Sequence, residues 1–193
     1  MDLALLVLRL AVGLFFIGHG SQKLWGWFGG HGPDATGQFF EAIGIRPGRI
    51  NALAAGWSEF LGGVLLAFGL LSPVAALLIV SVMTTAIITV HAKNGPWVTA
   101  NGYEYNAVLM AAAFVVAANP GGWSLDAAFG LDALHGTAMA VGALVLGAVG
   151  GVVATAAGRA GQPDEPPAPA PIADDAVDRE GRITRDVPAN TGD

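Results

Sequence analysis

Apolar residues gather in five long runs along the first 157 residues, at 3–20, 50–71, 73–91, 103–118 and 136–157. A helix needs about 20 residues at ~1.5 Å each to cross ~30 Å of hydrocarbon, and four of the runs fit that length. The fourth run along the chain is somewhat short. The runs lack the alternation of a membrane β-strand, and in lipid a helix satisfies its own backbone groups. The pattern therefore predicts an all-α fold, a transmembrane helical bundle with five spans.

The pattern changes abruptly at residue 158. The segment 158–193 holds 4 basic residues, 8 acidic residues and 6 of the 11 prolines. It has little apolar surface to bury, so we expect a disordered, acidic, proline-rich tail. Composition by itself does not identify a partner for such a tail, and a solvated terminus is the simpler interpretation.

Composition narrows the classes of function. Hydrophobic residues make up 53% of the chain and charged residues only 12%, which excludes a conventional soluble enzyme and a nucleic-acid binder that needs a basic patch. Cysteine is absent, so the chain has no disulfide, no thiol nucleophile and no cysteine-held metal. Only enzyme classes that use a borrowed cofactor, histidine or carboxylates remain.

Basic residues lie on one side of the predicted bundle. Five of them follow or precede helix ends on that side: Lys23, Arg46, Arg49, Lys93 and Arg159. The opposite side has none and carries Asp2, Asp126 and Asp132. The positive-inside rule then predicts a multi-pass protein of the plasma (inner) membrane, with the N-terminus outside and the tail in the cytoplasm.

Two charged residues fall inside the apolar runs, Arg9 in the first and Glu59 in the second. A charge at the bilayer centre costs ~2.5–3.5 kcal/mol on insertion scales, so neither should face lipid. If the first helix ends at Gly20, Arg9 lies roughly 17 Å from that end. If the second begins at Pro47, Glu59 lies roughly 18 Å from the same side. The matching depths predict a buried Arg9–Glu59 ion pair.

Small residues share the helix faces of both charges, which indicates that both faces pack inside the bundle. The last run has a similar ladder, Gly147, Gly151 and Thr155, which we interpret as a packing face. Two interpretations of the ion pair stay open. It is either a structural staple that sets helix register, or a polar site for a quinone, a proton or a small substrate.

A second polar group is expected near the cytoplasmic helix ends. Its members are His19, Lys23, His91, Glu104 and Asn106. Such a set can form a pocket for an anion or a quinone headgroup. His19 and His91 can also serve as axial haem ligands, but no haem motif accompanies them, so haem is not predicted. No spacing typical of a metal site occurs.

Three blocks of the sequence resemble the DoxX family of membrane proteins. The first, LLVLRLAVGLFFIGHGSQKL, has Arg9, His19 and Lys23 in the pattern RL–G–HG–KL. The second, GWSEFLGGVLLAFGLLSPVAALL, contains Glu59, and the third, GYEYNAVLMAAAFVVAANPGGWSLD, contains Glu104. Together they span residues 3–129. The run at 136–157 and the tail lie outside the familiar unit.

The resemblance implies a four-helix membrane domain over 1–130, followed by an additional transmembrane helix over 131–157 and the tail over 158–193. It also implies a small subunit or scaffold of a membrane-associated, quinone-linked oxidoreductase system, similar to the archaeal thiosulfate:quinone oxidoreductase, with other redox subunits and the lipid bilayer as partners. As an enzyme the chain is at most such a subunit. The alternatives are a transporter or channel for a small solute or protons, and a structural membrane protein without a ligand.

Overall fold

The computed structural model describes residues 1–160 as a helical bundle, and the predicted tail beyond residue 160 lies outside the described residues. The helices of this part are α1 (Asp2–Trp25), α2 (Gly32–Ala42), α3 (Gly48–Phe68), α4 (Ser72–Ala86), α5 (Glu104–Ala118), α6 (Leu125–Ala128) and α7 (Thr137–Ala160). No strand occurs within residues 1–160, so the predicted all-α fold class is confirmed. Residues 158–160, which the sequence assigned to the tail, belong to α7.

Four helical segments of the described part are long and apolar enough to cross a bilayer: Asp2–Trp25, Gly48–Phe68, Ser72–Asn94 and Thr137–Ala160. The third of them is α4 continued by a π-helical segment, Ile87–His91, and a short 3-10 turn, Ala92–Asn94. The helix α5 is apolar but has only 15 residues. These lengths agree with the sequence pattern, in which the run at 103–118 was also the short one.

Glycines bring α1 and α3 into close antiparallel contact. A Cβ atom added to Gly13 would lie 2.7 Å from the carbonyl oxygen of Gly63, and one added to Gly20 would lie 2.7 Å from that of Gly56. Because only glycine leaves room for such an approach, these residues determine which turns of the two helices face each other.

The helix α4 lies at the centre of the bundle and packs against α3, α5 and α7. On α7 the predicted ladder of small residues forms this contact, as expected: a Cβ atom on Gly151 would lie 2.5 Å from the carbonyl oxygen of Ser81. The hydroxyl of Thr85 donates to the carbonyl of Gly151 at 3.2 Å. The additional helix is therefore an integral wall of the bundle.

The short helix α2 covers the end of the bundle at which α1 ends and α3 begins, which we call the α2 end. A carboxylate oxygen of Glu41 accepts a hydrogen bond from the backbone N–H of Gly48 at 3.1 Å. The backbone N–H of Arg46 donates to the carbonyl of Gly158 at 2.8 Å. The segment between α2 and α3 is thereby joined to the last turns of α7. The opposite end of the bundle, where α6 lies, is called the α6 end.

Candidate functional site

The predicted ion pair between Arg9 and Glu59 is wrong, although both residues are buried as expected, with exposures of 1% and 4%. Glu59 instead pairs with Lys23, whose Nζ lies 2.6 Å from Oε2. Arg9 lies at the α6 end, where a terminal nitrogen of its guanidinium donates to the carbonyl of Trp123 at 2.6 Å.

The pairing differs because α1 is longer than the sequence suggested. It continues past Gly20 to Trp25 and ends at Gly26, which has a positive φ of 72°. Five further residues add about 7.5 Å of helix, so Arg9 is that much farther from the α2 end than predicted. Lys23, on the same face of α1, becomes the cation within reach of Glu59.

The Lys23–Glu59 pair lies in the wall of a cavity of about 240 Å³. The cavity lies between α2, α3, α4 and α7. Its lining comprises Lys23, Phe39, Phe40, Ile43, Ile45, Asn51, Ala54, Ala55, Ser58, Glu59, Ser81, Val82, Thr85, Ala86, Thr89, Val90 and Ala154. Most of this surface is apolar, and the ion pair is its charged feature.

Charge and polarity define what the cavity can accept. Lys23 and Glu59 are the charged residues of the lining, and their formal charges cancel. The hydroxyl-bearing residues Ser58, Thr85 and Thr89 also belong to the lining. A neutral ligand with a polar end and an apolar body suits such a site better than a free ion does, because an ion would bring an unbalanced charge into an apolar space.

A π-helical turn forms part of this wall. Thr89 and Val90 lie in the segment Ile87–His91, and the hydroxyl of Thr89 donates to the carbonyl of Thr85 at 2.8 Å. Single π turns within α-helices often occur at functional sites, since the wider turn redirects side chains and alters the backbone hydrogen bonds. The turn is a second, independent feature that points to this cavity.

The remaining predicted site residues lie elsewhere. His19 lines a different hollow of about 370 Å³ on the outer side of α1. A ring nitrogen of His91 contacts the carbonyl of Asn101 at 2.9 Å, and the amide of Asn106 donates to the sulfur of Met83 at 3.4 Å. Glu104 is the first residue of α5. Of the five residues predicted to form one polar pocket, Lys23 is therefore the one that lines the cavity.

A buried carboxylate that the sequence analysis did not single out organises the α6 end. Asp126 is fully buried and accepts hydrogen bonds from the backbone N–H groups of Leu71 and Ser72, at 2.7 and 3.0 Å. It also accepts from the Ser72 hydroxyl at 2.7 Å and from Nε2 of His135 at 2.9 Å. Burial raises the pKa of Asp126, whereas the hydrogen bonds lower it. The combined effect of the hydrogen bonds is the larger one, so the pKa of Asp126 lies below its ordinary value of 3.8.

Asp126 thus caps the start of α4 and binds the segment that leads into α7. The sequence feature that could have indicated this role is the Ser124-Leu125-Asp126 motif, in which a capping serine is followed by an aspartate in the first turn of a helix. The hydroxyl of Ser124 caps α6 by accepting a hydrogen bond from the N–H of Ala127 at 3.2 Å. Arg9 belongs to the same cluster, because its guanidinium lies beside Gly69, whose carbonyl accepts a hydrogen bond from the N–H of Asp126 at 2.9 Å. This cluster explains why the charge of Arg9 is buried: Arg9 belongs to a structural network at the α6 end and does not line the cavity.

Within residues 1–160 no group of three or more histidine or acidic residues is placed to hold a metal ion.

Comparisons with known proteins agree with the sequence pattern in the first half of the chain. The DoxX family model matches residues 4–92. A protein of Bacillus subtilis (strain 168) named "Putative oxidoreductase CatD" is 35% identical over 92 residues, which are 48% of this chain and 63% of that protein. The aligned part thus spans somewhat less than two thirds of the relative's length.

No solved structure matches the chain. The matched region contains α1 to α4 and the π-helical segment, and with them both members of the Lys23–Glu59 pair. Three of the helical segments that it covers wholly or largely, Asp2–Trp25, Gly48–Phe68 and Ser72–Asn94, are long and apolar enough to cross a bilayer. The chain therefore resembles the DoxX family over residues 4–92, and its described part is a helical bundle with segments long and apolar enough to cross a membrane.

Proposed function

We propose that this protein is a small subunit or scaffold of a membrane-associated oxidoreductase system and that its cavity binds a quinone headgroup. The name of the Bacillus relative supports the redox assignment. Because the chain has no cysteine, it can supply neither a thiol couple nor a cysteine-held cluster. In this proposal electrons come from a partner protein in the membrane.

The observation that carries the proposal is the partly buried Lys23–Glu59 pair in the wall of a mostly apolar cavity. An apolar cavity of about 150 Å³ holds a benzene-sized ring. A volume of about 240 Å³ suits one substituted ring. The lining residues fit a quinone, because they offer apolar walls for the ring and a charged donor for a carbonyl oxygen.

When bound, a quinone supplies redox chemistry in which two electrons and two protons convert it to a quinol. The ammonium group of Lys23 donates a hydrogen bond to a carbonyl oxygen and stabilises negative charge that develops there. Glu59 holds the ammonium group in position through the 2.6 Å contact. Of Arg9 and Glu59, the two charges that the sequence analysis paired, only Glu59 lines the cavity, so this proposal gives Arg9 no contact with the headgroup.

The test is quinone binding by the purified protein in a mild detergent. We expect quinone to co-purify with the wild type, and a short-chain quinone to bind about tenfold more weakly to Lys23→Met and Glu59→Gln, because each change removes a charge-assisted contact. The matched control is Asp34→Asn, which disrupts the exposed Asp34–Arg49 pair and should leave affinity unchanged. Absence of binding to the wild type would refute the proposal.

We also propose that the α2 end faces the cytoplasm and the N-terminus lies outside, in the plasma membrane. The support is the positive charge at the α2 end, from Lys23, Arg46, Arg49, Lys93 and Arg159. In this orientation the cavity opens in the cytoplasmic half of the membrane. The domain division proposed here adds α7 and the tail to a four-helix DoxX domain.

A further inference from the structure

Two helices that form opposite walls of the cavity do not close against each other. Both α3 and α7 pack on α4, but they make few contacts with one another. At the α2 end the gap is closed, because the N–H of Arg46 donates to the carbonyl of Gly158 and the buried side chain of Ile45 packs at the same glycine. Farther along the helices no such link joins α3 to α7.

Two alanines flank this gap at the same depth. Ala54 of α3 and Ala154 of α7 both line the cavity, and both are exposed on the surface of the bundle. Ala54 is six residues from the start of α3, and Ala154 is six residues from the end of α7. At ~1.5 Å per residue each lies about 9 Å from the α2 end, within a segment that is long and apolar enough to cross a bilayer.

The lining becomes more buried and more polar away from these alanines. Ser58 is half-buried, and the adjacent Glu59 is buried and paired with Lys23. Since Glu59 is eleven residues into α3, it lies about 16 Å from the α2 end and deeper than the alanines. The lining therefore runs from two exposed alanines at the surface of the bundle to a polar inner wall.

From this geometry we infer that the ligand is an amphiphile dissolved in the bilayer, which enters through a lateral portal between Ala54 and Ala154. Its compact, neutral head lies at the Lys23–Glu59 pair, and its apolar tail passes out through the portal into lipid. The small alanine side chains leave the portal open, and α2 with Ile45 covers the cavity on the aqueous side. The inference rests on the proposed function only for the identity of the head.

The portal can be tested without any ligand, because the chain has no cysteine and Ser58→Cys would be its sole thiol. In proteoliposomes we expect N-phenylmaleimide, which dissolves in membranes, to label S58C, and a quaternary-ammonium methanethiosulfonate to label it much more slowly. Adding Ala154→Trp should slow the maleimide reaction roughly fivefold or more by blocking the portal. Ala54→Trp is the second blocking variant, in case the first does not fold.

Val153→Trp is the matched control, since Val153 is the neighbouring residue of α7, is 59% exposed and does not line the cavity. It should leave the labelling rate within about twofold. Faster labelling by the charged reagent, or no effect of either blocking variant, would overturn the portal and indicate access from water.

A binding experiment separates this inference from the proposed function. The A154W substitution should reduce the affinity for a decyl-chain quinone about tenfold more than the affinity for a tail-less quinone, because only the tail needs the portal. If A154W reduces the affinity for both quinones equally, or for neither, the portal is refuted, whereas the proposed headgroup site is unaffected. If no quinone binds the wild type but A154W still slows labelling of S58C, the portal stands and the proposed function fails.

Discussion

At the residue scale, burial of the two intramembrane charges followed from the sequence, but their partners did not. Small residues on the faces of Arg9 and Glu59 indicated that both point into the bundle. The partners depend on the register of α1 against α3, where Gly13 faces Gly63. A shift of one or two turns exchanges the cation that reaches Glu59, and local sequence does not determine such a shift.

The pairing predicts which charged residues are energetically coupled. In double-mutant cycles, Lys23→Met and Glu59→Gln should show a coupling of about 1–3 kcal/mol, because each change alone leaves the other group without its partner. Arg9→Met and Glu59→Gln should be additive within about 0.5 kcal/mol, because they act at separate sites. Reversible unfolding in mixed micelles measures both. Strong coupling of Arg9 with Glu59 would contradict the pairing described above.

The Asp126 cluster predicts a dependence of stability on pH. Because the pKa of Asp126 is lowered in the folded state, its contribution is present above its ordinary value of 3.8 and is lost as the pH falls through the lowered pKa. At pH 7, Asp126→Asn should destabilise the bundle by about 1–3 kcal/mol, since the amide replaces an acceptor of several hydrogen bonds.

The difference between wild type and D126N should narrow below pH 3.8, as thermal unfolding between pH 7 and 3 will measure. Asp132→Asn is the control, because Asp132 is exposed and should show no such dependence. A difference that stays constant with pH would mean that the carboxylate charge of Asp126 is not responsible.

At the scale of elements, the sequence predicted each membrane helix but misplaced one end. The first run ends at Gly20 and Gly26 follows six residues later, and either glycine can end a helix. In the structure Gly20 packs against α3, whereas Gly26 has the positive φ of a helix C-cap. A glycine at a helix contact and a glycine at a helix end look alike in sequence, and only the neighbouring helix distinguishes them.

The contact between α7 and α4 offers a matched pair of glycines on one helix. Gly151→Ala should destabilise the bundle by about 1–3 kcal/mol, because the added Cβ would lie 2.5 Å from the carbonyl oxygen of Ser81. Gly142→Ala should change stability by less than about 0.5 kcal/mol, because nothing lies within 4 Å of the added atom. Equal effects on unfolding in micelles would show that α7 does not pack closely on α4.

At the scale of the whole molecule, the two ends of the bundle differ in charge and in role. The α2 end carries basic residues and the cavity, and the α6 end carries the Asp126 cluster with Arg9. The positive-inside rule acts on the ends of helices, so it depends on which residues each end brings together. That grouping follows from the order of the long helices along the chain, which the apolar runs already indicated.

Orientation can be measured with two single-cysteine variants in exposed 3-10 turns. Thr99→Cys lies at the α2 end and Ala133→Cys at the α6 end. On right-side-out vesicles of the plasma membrane, a charged thiol reagent should label A133C, and T99C should react only after the vesicles are inverted. The reverse pattern would place the α2 end and the cavity outside.

The sequence by itself determined the all-α fold, the long apolar helices and the burial of Arg9 and Glu59, because hydropathy and helical spacing act over short stretches of chain. The tertiary structure decided the Lys23–Glu59 pair, the cavity and the role of Asp126. Each of these depends on residues brought together from distant segments, such as Lys23 of α1, Thr89 beyond α4 and Ala154 of α7. Close glycine contacts between helices determine how those segments align, and no single segment contains that information.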